Sequence, residues 1–328
     1  MELNFDILAS KQQSVIAIGT FDGVHTGHQF ILNTAKKTAL EKGLPFFVLT
    51  FSDHPALITK AKEVPQLLTI FDEKMDLLHK FGVDNCIIMP FSSKFASLTY
   101  QEFTQKNLVD LLKVKHIFVG YNFHFGYKAQ GNGESLKSLG EKMNFDTHII
   151  SPIQKEGFII SSSLIRSLIQ NSKISLANKL LGYDYSLKGK VIEGQKIAAK
   201  GLGFPTANLK VNERKLLPAN GVYSCKVKVD NKVYSGVMNI GFRPTFNQTI
   251  LSLEVHILNF NKDIYDKTIE VQFIDYLREE RKFENIDALK RQIETDVYKA
   301  VSTFALERED KINTPLSSSR ELSLSSVN

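Results

Sequence analysis

Two histidines near the start of the chain are the first residues whose types and spacing suggest chemistry. His25 and His28 stand in the stretch GTFDGVHTGH, between an apolar β-branched run at residues 15–18 and a segment of helical character that ends at Gly43. A strand, a loop and a helix in this order place the loop at a helix N-terminus, where free N–H groups and a partial positive charge attract anions. Two imidazoles at that point could donate to phosphate, hold zinc, or be ordinary structural side chains. Zinc is the less favoured of these readings, because no Cys or carboxylate lies at a usual ligand spacing from the pair.

Composition narrows the class of protein. The 328 residues are 43% hydrophobic and 23% charged, which is typical of a globular chain of one or two domains. No apolar run reaches the roughly 18 residues of a membrane helix, and no secretory signal is visible, so we expect a cytoplasmic protein without a membrane partner. Cys86 and Cys225 lie far apart in apolar runs and are predicted to be reduced core thiols.

Charge points to small anionic partners. The net charge of +6 suits anionic substrates, but no dense Lys/Arg block is present, so nucleic-acid binding is not expected. We expect a monomer or a weak homo-oligomer.

The elements that must position the histidines alternate between strand and helix. Strands are predicted at residues 15–18, 45–51, 85–89, 116–120 and 147–151, with helices between them. This pattern predicts a Rossmann-like parallel sheet covered on both faces. Ligands of such sheets lie beyond the carboxyl ends of the strands, so the loops at 19–28, 51–55 and 120–131 should meet at one edge.

Three segments of this half resemble one family. GTFDGVHTGH resembles the GxFDGxHxGH signature of nucleotidyltransferases, and its FDGVH form is similar to bacterial bifunctional riboflavin kinase/FMN adenylyltransferases. Residues 120–131 resemble the family's GxNFxFGxxAxG segment, although some relatives have Asp and Arg where this chain has Asn122 and His124. ISSSLIR at 160–166 resembles the ISSTxIR motif, with Ser163 in place of Thr. Independently of the resemblance, its serines also read as a helix N-cap.

The second half has a different pattern and its own signature. From Gly189 onward, short strands and turns, with a hairpin signal at Asp230–Asn231, predict a small antiparallel β-barrel. A helix at residues 283–306 should dock on it. The stretch GKVIEGQKIAAKGLGFPTAN at 189–208 resembles the riboflavin kinase segment; without that resemblance it would read as an ordinary glycine-rich loop. The docking helix has one predicted apolar face, made of Ile286, Leu289, Ile293, Val297, Val301 and Phe304.

Glu254 is the candidate base of the second half. Strand alternation places Glu254, His256 and Leu258 on one face of the LEVHIL strand, with Leu253, Val255 and Ile257 in the core. Glu254 can therefore face a site, although a solvated carboxylate has the same pattern.

The resemblance implies a two-domain enzyme of FAD biosynthesis. It would phosphorylate riboflavin with ATP to FMN and then adenylylate FMN with ATP to FAD, with release of pyrophosphate and with Mg²⁺ as cofactor. The implied domains are an FMN adenylyltransferase domain at 1–184, a riboflavin kinase domain at 185–308 and a disordered tail at 309–328. We expect each domain to fold and act alone.

The resemblance also implies the site residues. The catalytic residues would be Glu254, His25 and His28. ATP and phosphate would be bound by Gly19, Phe21, Asp22, Gly27, Ser161, Ser162, Ser163, Arg166, Gly201, Gly203, Pro205, Thr206 and Asn208. Mg²⁺ would be held by Thr206 and Asn208. Flavin would be bound by His54, Pro55, Asn122, Phe123, Phe125 and Arg278.

Three alternatives stay open at this point. The chain could retain one activity alone, it could be a flavin- or nucleotide-binding regulator with inactive sites, or it could be another adenylylating enzyme. The regulator is disfavoured because the chain retains the residues that either reaction would need, namely His25, His28, Arg166, Thr206, Asn208 and Glu254. The GFPTAN segment argues against other adenylylating enzymes, which would lack the β-domain.

Overall fold

The computed structural model describes residues 12–52, 64–90, 92–194, 203–244 and 249–313; for residues 243–244, 249–250 and 305–313 it describes secondary structure only. Contacts divide the chain into two compact units. The first contains the chain up to Asn171, together with Leu176–Tyr183 and Asn212–Leu217. The second contains Ser172–Ser175, Asp184–Val211 and the chain from Pro218 onward.

A five-stranded parallel sheet forms the centre of the first unit, which confirms the predicted fold class. Its strands stand in the order β3-β2-β1-β4-β7. The strands of this unit are β1 (Ser14–Ile18), β2 (Phe46–Phe51), β3 (Cys86–Met89), β4 (Val114–Gly120), β5 (His124–Phe125), β6 (Gly131–Asn132), β7 (Asp146–Ile150), β8 (Gln154–Lys155) and β9 (Phe158–Ile159). The short strands pair as two hairpins, β5 with β6 and β8 with β9.

Helices cover both faces of this sheet. They are α1 (Thr26–Lys42), α2 (Phe71–Lys80), α3 (Ser93–Ala96), α4 (Tyr100–Phe103), α5 (Gly133–Met143), α6 (Ser162–Gln170) and α7 (Ile174–Leu181). A π-helix at Thr104–Leu111 continues α4, and a 3₁₀ turn spans Tyr127–Ala129. The predicted stop of α1 is confirmed, because Gly43 caps it with φ of 65°.

Strand β1 shows why the sheet lies at the core. All five of its residues are buried, and successive side chains enter the two hydrophobic clusters on opposite faces of the sheet: Val15 and Ala17 one cluster, Ile16 and Ile18 the other. A strand buried on both faces needs a continuous apolar run, which is the pattern that residues 15–18 show. Packing on both faces holds the carboxyl end of β1 in place, and the histidine loop begins directly after it.

The second unit is a closed six-stranded barrel, as predicted. Its strands follow the order β10-β11-β14-β13-β12-β15, and their bounds are β10 (Ser186–Ile192), β11 (Ala207–Val211), β12 (Gly221–Val229), β13 (Lys232–Pro244), β14 (Thr249–Ile257) and β15 (Thr268–Arg278). Asp230 and Asn231 both have positive φ and join β12 to β13, which confirms the hairpin. Strand β11 was not predicted. Leu258 is buried, contrary to expectation, because the alternation ends with the strand at Ile257.

The docking helix differs from its prediction at both ends. Helix α8 runs over Ile286–Asn313, so it begins later than predicted and extends into the predicted tail. Ile286 and Val301 are 65% and 50% exposed, and Ala300 is buried instead. The buried face also includes a carboxylate, Asp296, that a purely apolar reading of the helix overlooked. Residues 314–328 lie outside the described part of the chain.

The observed division does not follow one cut in the sequence. Ser172–Ser175 belong to the second unit although they precede residue 184, and Asn212–Leu217 belong to the first unit although they follow it. The separate folding of the two predicted domains stays a prediction, and Asn212–Leu217 becomes a segment that any test of it must consider. Within the described ranges, no helix is both long and apolar enough to cross a bilayer.

Candidate active sites

The two histidines lie against each other at the start of α1. Their rings stack with centroids 3.6 Å apart and planes 14° apart. His25 is the N-cap of α1, and its Nδ1 accepts a hydrogen bond of 3.2 Å from the His28 backbone N–H. Because Nδ1 accepts, the proton of a neutral His25 lies on Nε2. The predicted helix N-terminus and the predicted proximity of the two rings are therefore both present.

Both imidazoles are held neutral. Burial lowers the pKa of His25 to about 4, although Asp22 acts in the opposite direction. Burial, followed by the charges of His25 and Lys74, lowers the pKa of His28 well below its usual value. Within the described residues, His28 Nδ1 is buried and has no hydrogen-bond partner. A buried ring nitrogen without a hydrogen-bond partner destabilises the folded protein unless a ligand provides that partner.

Three neighbours shape this loop. Phe21 has φ of 51° and meets the His28 ring edge-on at 5.2 Å between centroids. Gly19 directly follows β1, and a Cβ there would lie 3.2 Å from the Phe21 ring. A Cβ at Gly27 would lie 3.2 Å from the His25 ring. Both glycines therefore give the aromatic and histidine rings the space that they occupy.

Asp22 and Arg166 form a buried ion pair with 2.6 Å between Oδ2 and Nη2. Asp22 also accepts from the Leu68 and Thr69 backbone N–H groups at 3.1 and 2.9 Å. Arg166 Nε donates to the Gln66 carbonyl at 3.0 Å. The sequence predicted both residues as phosphate ligands. The structure brings them together beside the histidines, but it directs Nη2 and Nε to protein oxygens.

The serines of the second motif take two positions. Ser161 caps α6 by accepting from the Leu164 N–H at 3.2 Å, as its N-cap reading predicted. Ser162 Oγ donates to the Asp22 carbonyl at 3.0 Å, so it joins α6 to the histidine loop. Ser163 is exposed.

Sequence reasoning missed a lysine at this site. Lys74 of α2 is 8% exposed, and its Nζ donates to the carbonyls of Thr20 and Phe51 at 3.3 and 2.8 Å and to Thr50 Oγ1 at 3.3 Å. It also lines a small cavity with Asp22 and Thr69. A lysine on an amphipathic helix gives no local sign of burial, so its contacts with two strand ends could not be read from the sequence.

The aromatic segment after β4 forms a compact hairpin. Phe123 and Phe125 stack with centroids 5.2 Å apart, and Phe125 also meets Tyr100 and Phe103 edge-on. A Cβ at Gly131 would lie 2.5 Å from Tyr100. Asn122 is exposed. The two phenylalanines therefore have structural partners within the first unit, and their flavin contact stays a prediction. His54, Pro55 and Gly201 lie outside the described residues.

The barrel brings its predicted residues together around Glu254. Ser252 Oγ donates to Oε1 at 2.9 Å, and Thr206 Oγ1 donates to Oε2 at 3.3 Å. Asn208 of β11 and Asn239 of β13 are the cross-strand neighbours of Glu254. Ser252 was missed, although its position two residues before Glu254 places it on the same strand face. The GFPTAN segment and Glu254 therefore form one polar cluster.

Two further features of this cluster concern its loop. A Cβ at Gly194 would lie 2.1 Å from Asn208 Nδ2, so a side chain there would displace the Asn208 amide. Gly203 has φ of 76°, and Pro205 offers its carbonyl to His256 Nδ1 at 2.7 Å. Among the described residues, no three His, Cys, Asp or Glu side chains are grouped to hold a metal ion. The oxygens of Glu254, Thr206 and Asn208 instead suit a hard cation that phosphates and water also coordinate.

Arg278 forms an ion pair within the second unit. Its Nε and Nη2 donate to the Asp296 carboxylate at 2.8 to 3.1 Å, and its Nη1 donates to the Glu279 carbonyl at 2.9 Å. Asp296 is 2% exposed. The guanidinium therefore joins β15 to α8, and flavin binding by Arg278 stays a prediction.

The first unit has the fold class of a nucleotidyltransferase, a parallel α/β sheet with a histidine loop at a helix N-terminus. The second unit is a closed barrel with a polar cluster around Glu254. The family described as FAD synthetase matches residues 7–164, and the one described as riboflavin kinase matches residues 181–304.

Relatives and a solved structure match almost the whole chain. The bifunctional riboflavin kinase/FMN adenylyltransferase of Bacillus subtilis (strain 168) is 36% identical and covers 91% of this chain and 95% of its own length. The protein of that name from Escherichia coli (strain K12) is 34% identical, with the same coverage of both chains. A crystal structure from Streptococcus pneumoniae, titled a macrolide-efflux protein, is 33% identical with a TM-score of 0.80, over 88% of this chain and 93% of that one.

The chain belongs to the bifunctional riboflavin kinase/FMN adenylyltransferases. It phosphorylates riboflavin to FMN and adenylylates FMN to FAD, with ATP as the second substrate of both reactions. The predicted family, fold class and activities are confirmed.

Proposed function

We propose that FMN adenylylation takes place at the histidine loop of the first unit and riboflavin phosphorylation at the Glu254 cluster of the barrel. The observation that carries the first assignment is the stacked pair of neutral histidines with an unpartnered nitrogen on His28. The FMN phosphate is an ionised nucleophile that needs hydrogen-bond donors around it, whereas the ribityl hydroxyl of riboflavin is neutral and needs a base. The histidine loop provides donors, and the barrel cluster provides the Glu254 carboxylate.

The adenylyltransferase site needs hydrogen-bond donors more than a base. The attacking FMN phosphate has its second pKa near ~6, so it is largely ionised at pH 7. Its oxygen attacks the α-phosphorus of ATP, the bond to the bridging oxygen breaks, and pyrophosphate leaves. His25 and His28 donate to phosphate oxygens while negative charge moves to the leaving group. The Nε2–H tautomer of His25 provides such a donor.

Asp22 and Arg166 prepare the phosphate-binding side of this site. The ion pair holds the guanidinium beside the histidine loop before ATP arrives. Preorganised positive charge lowers the reorganisation needed for a triphosphate. Ser161, Ser162 and Ser163 contribute hydroxyls at the start of α6, together with its N-terminal N–H groups. The aromatic hairpin with Asn122 is the proposed flavin side.

The kinase site needs a base, because its nucleophile is a neutral ribityl hydroxyl. Glu254 is fixed by Ser252 and Thr206 within hydrogen-bond distance. Its carboxylate takes the hydroxyl proton as the oxygen attacks the γ-phosphorus of ATP and ADP leaves. Thr206 and Asn208 would hold Mg²⁺, which when bound neutralises charge on the ATP phosphates. Gly203 and Pro205 belong to the loop that we assign to these phosphates.

The setting that we propose for the enzyme is the cytoplasm, with a monomer or weak homo-oligomer and no nucleic-acid partner. The buried thiols Cys86 and Cys225 support a reducing compartment.

Replacement of His28 by Ala tests the adenylyltransferase assignment. FAD formation from supplied FMN should fall by about 10²- to 10³-fold, the usual cost of losing a preorganised donor. FMN formation from riboflavin in the same preparation should not change, which shows that the loss is confined to adenylylation. Stoichiometric zinc in the wild-type protein, or inactivation by a zinc chelator in excess Mg²⁺, would contradict the phosphate role.

A further inference from the structure

Asn212–Leu217 lie in the part of the sequence that matches riboflavin kinase, yet they belong to the first unit. The segment pairs with Leu67 like a short strand. The Leu67 N–H donates to the Arg214 carbonyl at 2.8 Å, and the Leu216 N–H donates to the Leu67 carbonyl at 2.8 Å. These two bonds form an isolated parallel bridge between Leu67 and Lys215.

Lys215 is the buried centre of this contact. It is 3% exposed, and its Nζ donates to the Leu68 carbonyl and to Glu73 Oε2, both at 2.6 Å. Glu73 is also buried, and its Oε2 accepts from the Ile70 N–H at 3.2 Å. A buried ammonium with two short contacts holds its partners firmly, because breaking either contact leaves a desolvated charge.

The other side of residues 66–69 faces the phosphate-binding groups. The Leu68 and Thr69 N–H groups donate to Asp22. Thr69 Oγ1 accepts from the Gly23 N–H at 3.0 Å, and the Gln66 carbonyl accepts from Arg166. Leu68 therefore donates to Asp22 with its N–H and accepts from Lys215 with its carbonyl.

We propose that Lys215 is a positioning residue for FMN adenylylation, although it lies in the kinase part of the sequence. It fixes the Gln66–Thr69 strip, and that strip sets where the Asp22 carboxylate and the Arg166 guanidinium stand. The inference rests on the proposed role of Asp22 and Arg166 in binding the phosphates of ATP. A displacement of about 1 Å at such a site costs up to about 10²-fold in rate.

Lys215→Met in the full chain tests the proposal, since Met keeps most of the side-chain length and loses the charge. We expect the KM for ATP in FMN adenylylation to rise and kcat/KM to fall by about 10- to 10²-fold. Riboflavin phosphorylation by the same preparation should not change. Lys210→Met is the matched control, because Lys210 is an exposed lysine of β11 in the same half of the chain, and it should leave both reactions unchanged. Wild-type adenylylation by Lys215→Met would overturn the proposal.

A second variant decides the matter if Lys215→Met fails to fold. Lys215→Met with Glu73→Met replaces both charges by apolar side chains of similar length, an exchange that is often neutral for stability. This double variant still lacks the hydrogen bond from Lys215 to the Leu68 carbonyl. A raised KM for ATP therefore supports the proposal, and a wild-type KM overturns it. Arg166→Ala distinguishes failure of the proposed phosphate role from failure of the positioning role of Lys215. If this variant leaves the KM for ATP unchanged, the phosphate role of Arg166 is wrong, whatever the result for Lys215.

Discussion

Acidification from pH 7 to pH 5 should destabilise the first unit through His25. The pKa of this histidine is lowered to about 4 in the folded protein, against 6.5 for an ordinary histidine, because the ring is buried. Between these two values the unfolded chain binds a proton that the folded chain does not bind. Stability is therefore fully present above pH 6.5 and is lost as the pH falls towards about 4.

The expected magnitude follows from the same two values. One pH unit in this window corresponds to about 1.4 kcal/mol, so the interval from pH 6.5 to pH 5 corresponds to about 2 kcal/mol for His25. His28 acts with the same sign, since its pKa is also lowered. The structural cause is burial of the ring, which disfavours its charged form. A proton on His25 Nδ1 would in addition remove the acceptor of the His28 N–H.

The assay compares the wild type with His25→Asn, since Asn is a good N-cap and does not titrate. Amide hydrogen exchange of α1, corrected for the intrinsic rate, gives the stability of the unit at each pH. The wild type should lose about 2 kcal/mol more than the variant between pH 7 and pH 5. His28 remains in both proteins, but the charge of His25 is one cause of its lowered pKa, so the difference reports His25 together with its effect on His28. NMR titration of the His25 ring should show no protonation near pH 6.5, and a normal titration there would refute the reasoning.

Two further predictions concern buried ion pairs. Asp296→Asn removes the partner of Arg278 and should destabilise the barrel by about 3–5 kcal/mol in thermal unfolding; a variant with the stability of the wild type but a higher KM for riboflavin would instead favour a flavin role for Arg278. A fragment of residues 1–185 lacks Lys215 and therefore leaves the Glu73 carboxylate buried without its partner. Glu73→Gln removes that charge, so it should raise the unfolding temperature of the fragment and its rate of FMN adenylylation. If the fragment is as stable and active as the full chain without that change, Asn212–Leu217 are dispensable.

Sequence patterns predicted those elements whose structure depends on residues close together in the chain. The β-branched apolar run before the histidine loop predicted a strand buried on both faces, and the structure confirms it. Gly43 and the Asp230–Asn231 pair have positive φ where the chain turns. The motifs then fixed the family. Glu254 could be placed with Thr206 and Asn208 because the family pattern contains all three, and the structure brings them together.

Contacts between distant parts of the chain could not be predicted in this way. Lys215 and Glu73 are 142 residues apart, and nothing local in the sequence indicates that these two charged side chains pair. Asp296 stands on a helix whose apolar pattern predicted a hydrophobic contact alone, yet it binds Arg278. Ile286 and Val301 match the helical repeat of apolar residues but are exposed. The repeat identifies one side of the helix, but it does not show how much of that side packs against the barrel. Tertiary pairing decided all of these positions.

The central claim is that the two reactions use different groups at different places in the chain, and Glu254→Gln tests it most directly. Gln keeps the size of the side chain but cannot take the ribityl proton, so FMN formation from riboflavin should fall by about 10²- to 10⁴-fold. FAD formation from supplied FMN should continue at the wild-type rate. Glu284→Gln, at an exposed position, should change neither reaction. Chromatographic separation of FMN and FAD from both feeds measures all of this in one experiment. Full riboflavin phosphorylation by Glu254→Gln would contradict the account, as would an equal loss of FAD formation from FMN in a protein that remains folded.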